Sequence, residues 1–439
     1  MLTAKNSLGV VFFPAFDWAI EATHPEREER LLYTQDQLKE EGLFDIEGVV
    51  EYKPEVATRQ DVERVHFCLP SVETVATKSH MISAGGAIKA ARLVMDGEMD
   101  RAFALVRPPG HHAMKVVEGN RGFCNINIEA VMLEWIREHY GPKRVAIIDT
   151  DCHHGDGTQD IYWHDPNTLF ISLHQDGRTL YPGTGFPDEL GGPNALGRTL
   201  NIPLPPRTGD EGFLYVVENC ILPILKDFKP DLVINSAGQD NHFTDPITNM
   251  NFSAQGYARL NELLKPDLAV LEGGYAIQGA LPYVNLGICL AMAGVDYSHV
   301  REPDFDPARI RQDVRTMDFI KKVCEMTTRH YFRPPAAPTD GDVVNGWHSR
   351  MKDVYYDTDG ISESQVESVS LCSDCAGVRK IEVWSSISPL SLCIEIPQTA
   401  CDRCLGLGKR VLEEGHTKGN YRIIQCINRK EKEYTQFGF

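Results

Sequence analysis

The sequence predicts an α/β protein built on a parallel sheet flanked by helices, followed by a smaller β-rich domain. Three observations carry this expectation. Short apolar runs such as Val10-Val11-Phe12-Phe13, Phe103-Ala104-Leu105-Val106, Val145-Ala146-Ile147-Ile148 and Leu268-Ala269-Val270-Leu271 alternate with stretches of helical periodicity. Strands apolar on both sides belong to parallel sheets covered on both faces. The chemistry-bearing residues follow the ends of these runs, where open α/β sheets bind ligands. The alternation then stops at Arg333-Pro334-Pro335-Ala336-Ala337-Pro338, a linker by composition. The expected division is 1–332 for the large domain, 333–345 for the linker and 346–439 for the small one.

Taken in order, residues 8–16 open with a first strand, and His24-Pro25 starts a helix whose acidic first turn suits the helix dipole. Small and apolar residues at helical spacing predict a buried helix over 79–97. The strand 103–106 runs into Arg107-Pro108-Pro109-Gly110-His111-His112, a rigid loop, because Pro-Pro-Gly ends regular structure. A helix over 126–139 leads to a strand at 144–149, and a further strand covers 170–174. Tyr181-Pro182-Gly183 is a turn presenting an aromatic. Helices are expected over 210–227, 253–264 and 278–293, with strands at 232–238 and 268–272 between them.

Composition sets bounds. The 439 residues are 42% hydrophobic and 24% charged, with a formal net charge of −18. An acidic surface disfavours generic binding to nucleic-acid phosphates. No apolar run reaches the ~20 residues that span a bilayer. The first residues, Met1-Leu2-Thr3-Ala4-Lys5, lack a secretory signal, so a cytoplasmic location and reduced cysteines are expected.

The richest stretch is Asp149-Thr150-Asp151-Cys152-His153-His154-Gly155-Asp156-Gly157. Buried carboxylates are costly unless paired or bound to a cation. Asp and His suit a catalytic zinc, where three protein ligands leave a position for water. Two adjacent histidines at a strand end, His111 and His112, also need partners that an ordinary core does not supply.

Four motifs in order, Arg107–His112, Asp149–Gly157, Ser236-Ala237-Gly238-Gln239-Asp240 and Gly273-Gly274-Tyr275, resemble the zinc-dependent histone deacetylase family. That family also contains acetylpolyamine amidohydrolases and acetoin-utilisation proteins. The resemblance spans roughly residues 8–330. It implies an arginase-like three-layer fold and a hydrolase that removes acyl groups from amines. It places zinc on Asp151, His153 and Asp240, makes His112 the general base with His111 beside it, and sets Asp149 and Asp156 behind His111 and His112. Tyr275 becomes the hydroxyl donor to the oxyanion. Gly122-Phe123 and Tyr181 become the tunnel walls. Potassium is implied at Asp149, Asp151, His153, Ser172 and Leu173, with an outer monovalent site near Tyr162, Asp165 and Thr168. The family's rim carboxylate should lie between His66 and His80, where Glu73 offers itself.

Polyamine-specific members place an acidic residue just after the Asp-Pro turn, where this chain has Ile247. An apolar residue cannot pair with a secondary ammonium, so the expected substrate is an acylated lysine of a protein or peptide. An acetylpolyamine or other small acylated amine is the alternative. Two readings from other classes stay open: a non-catalytic acyl-lysine-binding protein, and a two-metal hydrolase on an arginase-like scaffold.

Beyond the linker, Cys372-Ser373-Asp374-Cys375 and Cys401-Asp402-Arg403-Cys404 form two Cys-x-x-Cys knuckles. Their spacing reads as a structural zinc site of zinc-ribbon type. Lys and Arg are matched there by Asp and Glu, so nucleic acid is not favoured. A docking role toward a protein partner or a second copy is expected.

Overall fold

The computed structural model describes residues 2–335 and 342–438, so residues 336–341 of the expected linker lie outside the described residues. Eight parallel strands form one sheet in the order Glu47–Tyr52, Thr3–Phe13, Arg101–Val106, Leu268–Leu271, Leu232–Ala237, Val145–Asp149, Thr168–Gln175 and Thr199–Leu204. Alternate residues of each strand enter opposite layers. Phe103, Leu105, Ala146 and Ile148 join one apolar cluster, while Ala102, Ala104, Val145 and Ile147 join the other. This period of two is what a strand buried on both faces produces.

Strand order fixes the site. Arg101–Val106, Leu268–Leu271, Leu232–Ala237 and Val145–Asp149 are consecutive neighbours. The loops after these four strands carry the four motifs, so segments far apart in sequence meet at the carboxyl ends of neighbouring central strands.

Among the elements that the sequence alone did not show are two strands and a long helix. Glu47–Tyr52 and Thr199–Leu204 are the two edge strands. The first is half polar and the second carries Pro203, features tolerated at edges. The helix Val314–Phe332 packs along the large domain, capped by Asp313. The expected helix at His24 is a single 3-10 turn, Glu28–Leu31, before the helix Thr34–Glu40.

The C-terminal unit differs from a simple ribbon. Seven strands run in sequence order from Asp342–Val344 to Glu433–Phe437. The first lies inside the stretch expected as linker, because Asn345 and Gly346, both at positive φ, turn it back onto Trp347–Tyr356. The first knuckle joins Ile361–Ser370 to Arg379–Ser385. The second opens the helix Asp402–Lys418, a crossover between the parallel strands Ser391–Ile396 and Ile424–Asn428.

The sheet is welded to the large domain. Phe67, Leu69 and Val116 share an apolar cluster with Ile381, Val383, Cys393, Ile423 and Ile427. A buried ion network surrounds it. Asp160 meets Lys352 at 2.5 Å and Arg379 at 3.2 Å, and Arg379 also pairs with Glu367. Lys115 pairs with Glu395 at 2.9 Å, and Arg429 spans Glu134 and Glu395.

Candidate active site

The strand Val145–Asp149 ends in Asp149, and the following turn carries Asp151 and His153 inward. Asp240, after Leu232–Ala237, meets them. One donor atom from each of Asp151, His153 and Asp240 lies within 4.8 Å of the others, and all three residues are buried. His153 Nδ1 lies 2.8 Å from Asp240 Oδ2 and 3.2 Å from Asp151 Oδ1. Backbone N–H groups hold the outer carboxylate oxygens: Gly273 donates to Asp151 Oδ2 at 2.7 Å and Cys152 to Asp240 Oδ1 at 2.7 Å. A Cβ on Gly238 would approach Asp151 Oδ2 to 2.0 Å, so only glycine fits there.

The charge balance fits a cation. Burial opposes a charge on His153, yet Asp240 and Asp151 outweigh it and raise the ring to about 10. Burial and the Asp151 charge push Asp240 up to about 6, and burial with Asp240 pushes neighbouring Asp245 to about 8. The cluster holds more carboxylate than one imidazole can neutralise. Two carboxylates and one imidazole around one point are a donor set that suits zinc.

Each of the adjacent histidines has its own acid. His112 Nδ1 lies 2.8 Å from Asp156 Oδ1, and His111 Nδ1 lies 3.2 Å from Asp149 Oδ2. Their environments push them apart. Burial opposes charging of both. At His111 the carboxylates of Asp151 and Asp149 outweigh it and raise the pKa well above the usual range. At His112 the charges of His111, His153 and Arg121 add to burial and depress it well below. The two neighbours thus sit in opposed electrostatic environments.

Tyr275 is buried, its N–H donating to Asp245 Oδ2 at 2.8 Å. The Phe123 ring meets it edge-on at 5.6 Å, and the Tyr181 ring stands 5.2 Å from His112. Gly122 is at φ +52°, and a Cβ there would come within 2.4 Å of the His112 ring. Gly122, Phe123 and Tyr181 therefore wall the approach to the histidines. Ile247 is half-buried, with its N–H bound to Asp245.

Glu73 is exposed and pairs with Arg59 at 3.5 Å. Ser172 lies beside Asp149 in the strand register, its hydroxyl 2.8 Å from His174 Nδ1, with Leu173 next to it. At the outer monovalent position, Arg137 contacts Asp165 and Thr168 at 2.8 Å and stands over the Tyr162 ring. His154 bridges Thr184 and Gln159. The four cysteines Cys372, Cys375, Cys401 and Cys404 converge, with sulfur atoms within 4.8 Å of one another.

Sequence reasoning missed several supports. Glu272 accepts from the N–H groups of Gly110 and His111, fixing the histidine loop. Arg30 donates to the carbonyls of Gly274 and Glu272, and a buried Glu26 joins Arg30 to Arg107. Arg121 pairs with Asp156 at 2.5 Å. None carries a motif. Only burial of charge, invisible along the chain, marks them.

Comparison with known proteins agrees with this geometry. A histone deacetylase domain model matches residues 67–285. A protein named "Probable deacetylase" from Archaeoglobus fulgidus is 47% identical over 309 residues, covering 64% of this chain and 85% of that protein. A histone deacetylase-like amidohydrolase from Pseudomonas aeruginosa is 33% identical over 267 residues, covering 58% and 69%. An acetylpolyamine amidohydrolase from Burkholderia pseudomallei is 37% identical over 201 residues, covering 45% and 57%. The crystal structure of the HDA15 HD domain superposes with a TM-score of 0.65 at 28% identity, covering 75% of this chain and 96% of that one. Fold and site thus define a deacetylase-type amide hydrolase. The chain belongs to the histone deacetylase family.

Proposed function

We propose that this chain removes acyl groups from the ε-amine of lysine side chains in proteins or peptides, using a zinc held by Asp151, His153 and Asp240. The carrying observation is the convergence of that donor set with the His112–Asp156 pair and Tyr275 beneath two aromatic walls. When bound, zinc supplies Lewis acidity to the acyl carbonyl and to an attacking water. His112 uses Nε2, since Nδ1 faces Asp156, to take the water's proton and pass it to the leaving amine. Asp156 fixes the tautomer, and Asp149 does the same for His111, which stabilises developing charge. Tyr275 donates its hydroxyl to the carbonyl oxygen as charge grows there. Phe123 and Tyr181 hold the alkyl stem of the lysine and exclude water.

Ile247 favours lysine over polyamines, because it offers no charge to a secondary ammonium. Potassium at Asp149, Asp151, His153, Ser172 and Leu173, and a structural zinc on the four cysteines, belong to the same proposal. The test compares turnover of an acetyl-lysine peptide with acetylspermidine and acetylputrescine, before and after chelation and zinc return. Faster hydrolysis of the polyamines would overturn the lysine reading. Location in the cytoplasm and residence of the large domain in 1–332 are further expectations. Among the described residues, no helix is long and apolar enough to cross a membrane.

A further inference from the structure

We propose that the open edge of the strand Trp347–Tyr356, beyond Ser349, is a docking strand for the polypeptide substrate, which adds to the C-terminal sheet as an extended, basic segment. This rests on the acyl-lysine reading above. The edge lies outside the 67–285 stretch matched by the family model.

Trp347–Tyr356 pairs with Ile361–Ser370 along its whole length, but on its other side Asp342–Val344 covers only Trp347–Ser349. Val344 and Trp347 flank a two-residue turn, so they form a pair that exchanges hydrogen bonds. Every second residue then turns its backbone N–H and C=O the same way, which brings those of Met351, Asp353 and Tyr355 to the open side. Among the described residues no strand pairs with them. Neither a proline nor a bulge interrupts the strand, and Met351 and Tyr355 are 72% and 56% exposed. An open edge of this kind takes an extended segment through main-chain hydrogen bonds, while alternate side chains of the segment fall into pockets. A groove of about 500 Å³ lies alongside, lined by Arg350, Lys352 and Val354 of the strand and by Trp163, Asp188 and Leu190 of the large domain.

The edge ends at the active-site mouth. Its hairpin tip, Asp357-Thr358-Asp359-Gly360, lands on the loop that carries Phe123. Asp359 Oδ2 accepts from the Asn120 N–H at 2.6 Å, and the Thr358 hydroxyl donates to Asn120 Oδ1 at 2.7 Å. A Cβ on Gly119 would come within 2.5 Å of Asp359 Oδ2, so the tip is seated against the loop's backbone. The groove reaches the same place, since Arg121 also lines it and stands over the Tyr181 ring at 5.6 Å. Met351 to Tyr355 covers about 13 Å at ~3.3 Å per residue, so the docked residues lie several positions along the substrate from its acylated lysine. Charge selects the occupant. Asp353 accepts from the Ser364 hydroxyl at 2.7 Å and Asp188 is exposed; neither is in an ion pair among the described residues. A second copy paired antiparallel about the middle of this edge would set Asp353 against its own counterpart, a destabilising like-charge pair. A segment rich in Lys and Arg meets attraction instead, as it does from a chain of formal net charge −18.

The test uses the full-length zinc-loaded protein and its Asp353→Pro and Asp353→Ala variants. Proline removes the outward N–H and is tolerated where that group pairs with nothing; alanine removes the same carboxylate and keeps the N–H. The substrates are a capped single acetyl-lysine and two basic peptides, with the acetyl-lysine near one end or the other. One of the peptides should have a KM well below that of the capped residue. For that peptide Asp353→Pro should raise KM about three- to tenfold over Asp353→Ala, the worth of one hydrogen bond, with kcat and the capped-substrate KM held within about twofold. In the wild type, methylating that peptide's backbone nitrogens one at a time should raise KM at alternate positions, a period of two that docking by charge alone does not produce. Equal KM values for all three substrates, a methylation profile without that period, or equal losses in the two variants would overturn the proposal and leave the acyl-lysine reading standing. A dimer in analytical ultracentrifugation that Asp353→Pro dissociates would overturn it in favour of a second copy. A wild-type protein that hydrolyses acetylspermidine and none of the lysine substrates would overturn the acyl-lysine reading itself.

Discussion

Replacing Tyr275 by Phe removes one oxygen and should leave the ring where it is. Among the described residues, nothing that holds the ring uses the hydroxyl. The backbone N–H is tied to Asp245 at 2.8 Å, the Arg30 guanidinium lies 5.1 Å from the ring centroid, and Phe123 packs edge-on at 5.6 Å. Arg30 also fixes the carbonyl of Gly274 at 2.6 Å, so the Gly-Gly turn is braced independently. Burial pushes the phenol's pKa well above its usual value, so the group stays a protonated donor throughout the neutral range. The change therefore isolates one oxyanion donor. Loss of such a donor costs about 2.7–4 kcal/mol of barrier, a factor of roughly 10² to 10³ in kcat. The assay is kcat on an acetyl-lysine peptide, with zinc content and melting temperature measured on the same sample. A loss below about tenfold would refute the role of the hydroxyl. Loss of zinc along with activity would show that Tyr275 supports the ligands rather than the oxyanion.

Other outcomes follow from the same geometry. Asp156→Asn should lower activity about 10- to 100-fold at unchanged zinc content, because the partner that orients His112 loses its charge. Burial, then the charge of His111 and more distantly that of Arg121, hold the His112 pKa down, so the base stays unprotonated as pH falls through ~6.5 and the acid limb of kcat/KM lies below that value. Arg121→Gln removes one of those cations and should move the limb upward; a wild-type limb above neutrality would contradict the assignment. Cys401→Ser should reduce bound zinc from two ions per chain to one while Asp151, His153 and Asp240 keep theirs, as read by metal analysis. Arg379→Met leaves Asp160 and Glu367 short of a buried partner and should cost about 3–5 kcal/mol in urea unfolding at neutral pH. In the wild type, burial would raise the Asp160 pKa, but Lys352 and Arg379 outweigh it and hold it at about 2. That is below the unfolded value of ~3.9, so this contribution is present above pH ~4 and is lost as pH falls through about 2.

The central strands were legible because each is apolar on both sides, and the four motifs were legible because short polar clusters end those strands. The edge strands were not, since partial solvent exposure and Pro203 erase the continuous pattern. Asp151, His153 and Asp240 could be grouped from residue type, but their shared neighbour Asp245 could not, because its contact to Tyr275 closes only in three dimensions. The C-terminal sheet was legible as β-rich with a four-cysteine cluster. Its attachment was not, because Arg379, Glu367, Lys352 and Glu395 look like ordinary surface charges until Asp160 and Lys115 are seen facing them.

The landing of the hairpin tip on the loop before Phe123 also has a consequence in time. Asn120 and Asp359 are 239 residues apart in sequence. At the ~5–20 residues per second of ribosomal synthesis, the loop waits about 10–50 s for its anchor. During that interval the nascent large domain carries an unfinished rim, and Phe67, Leu69 and Val116 lack their apolar cover. That apolar patch stays uncovered until the C-terminal sheet emerges, which gives a chaperone that binds exposed apolar surface a defined window in which to act.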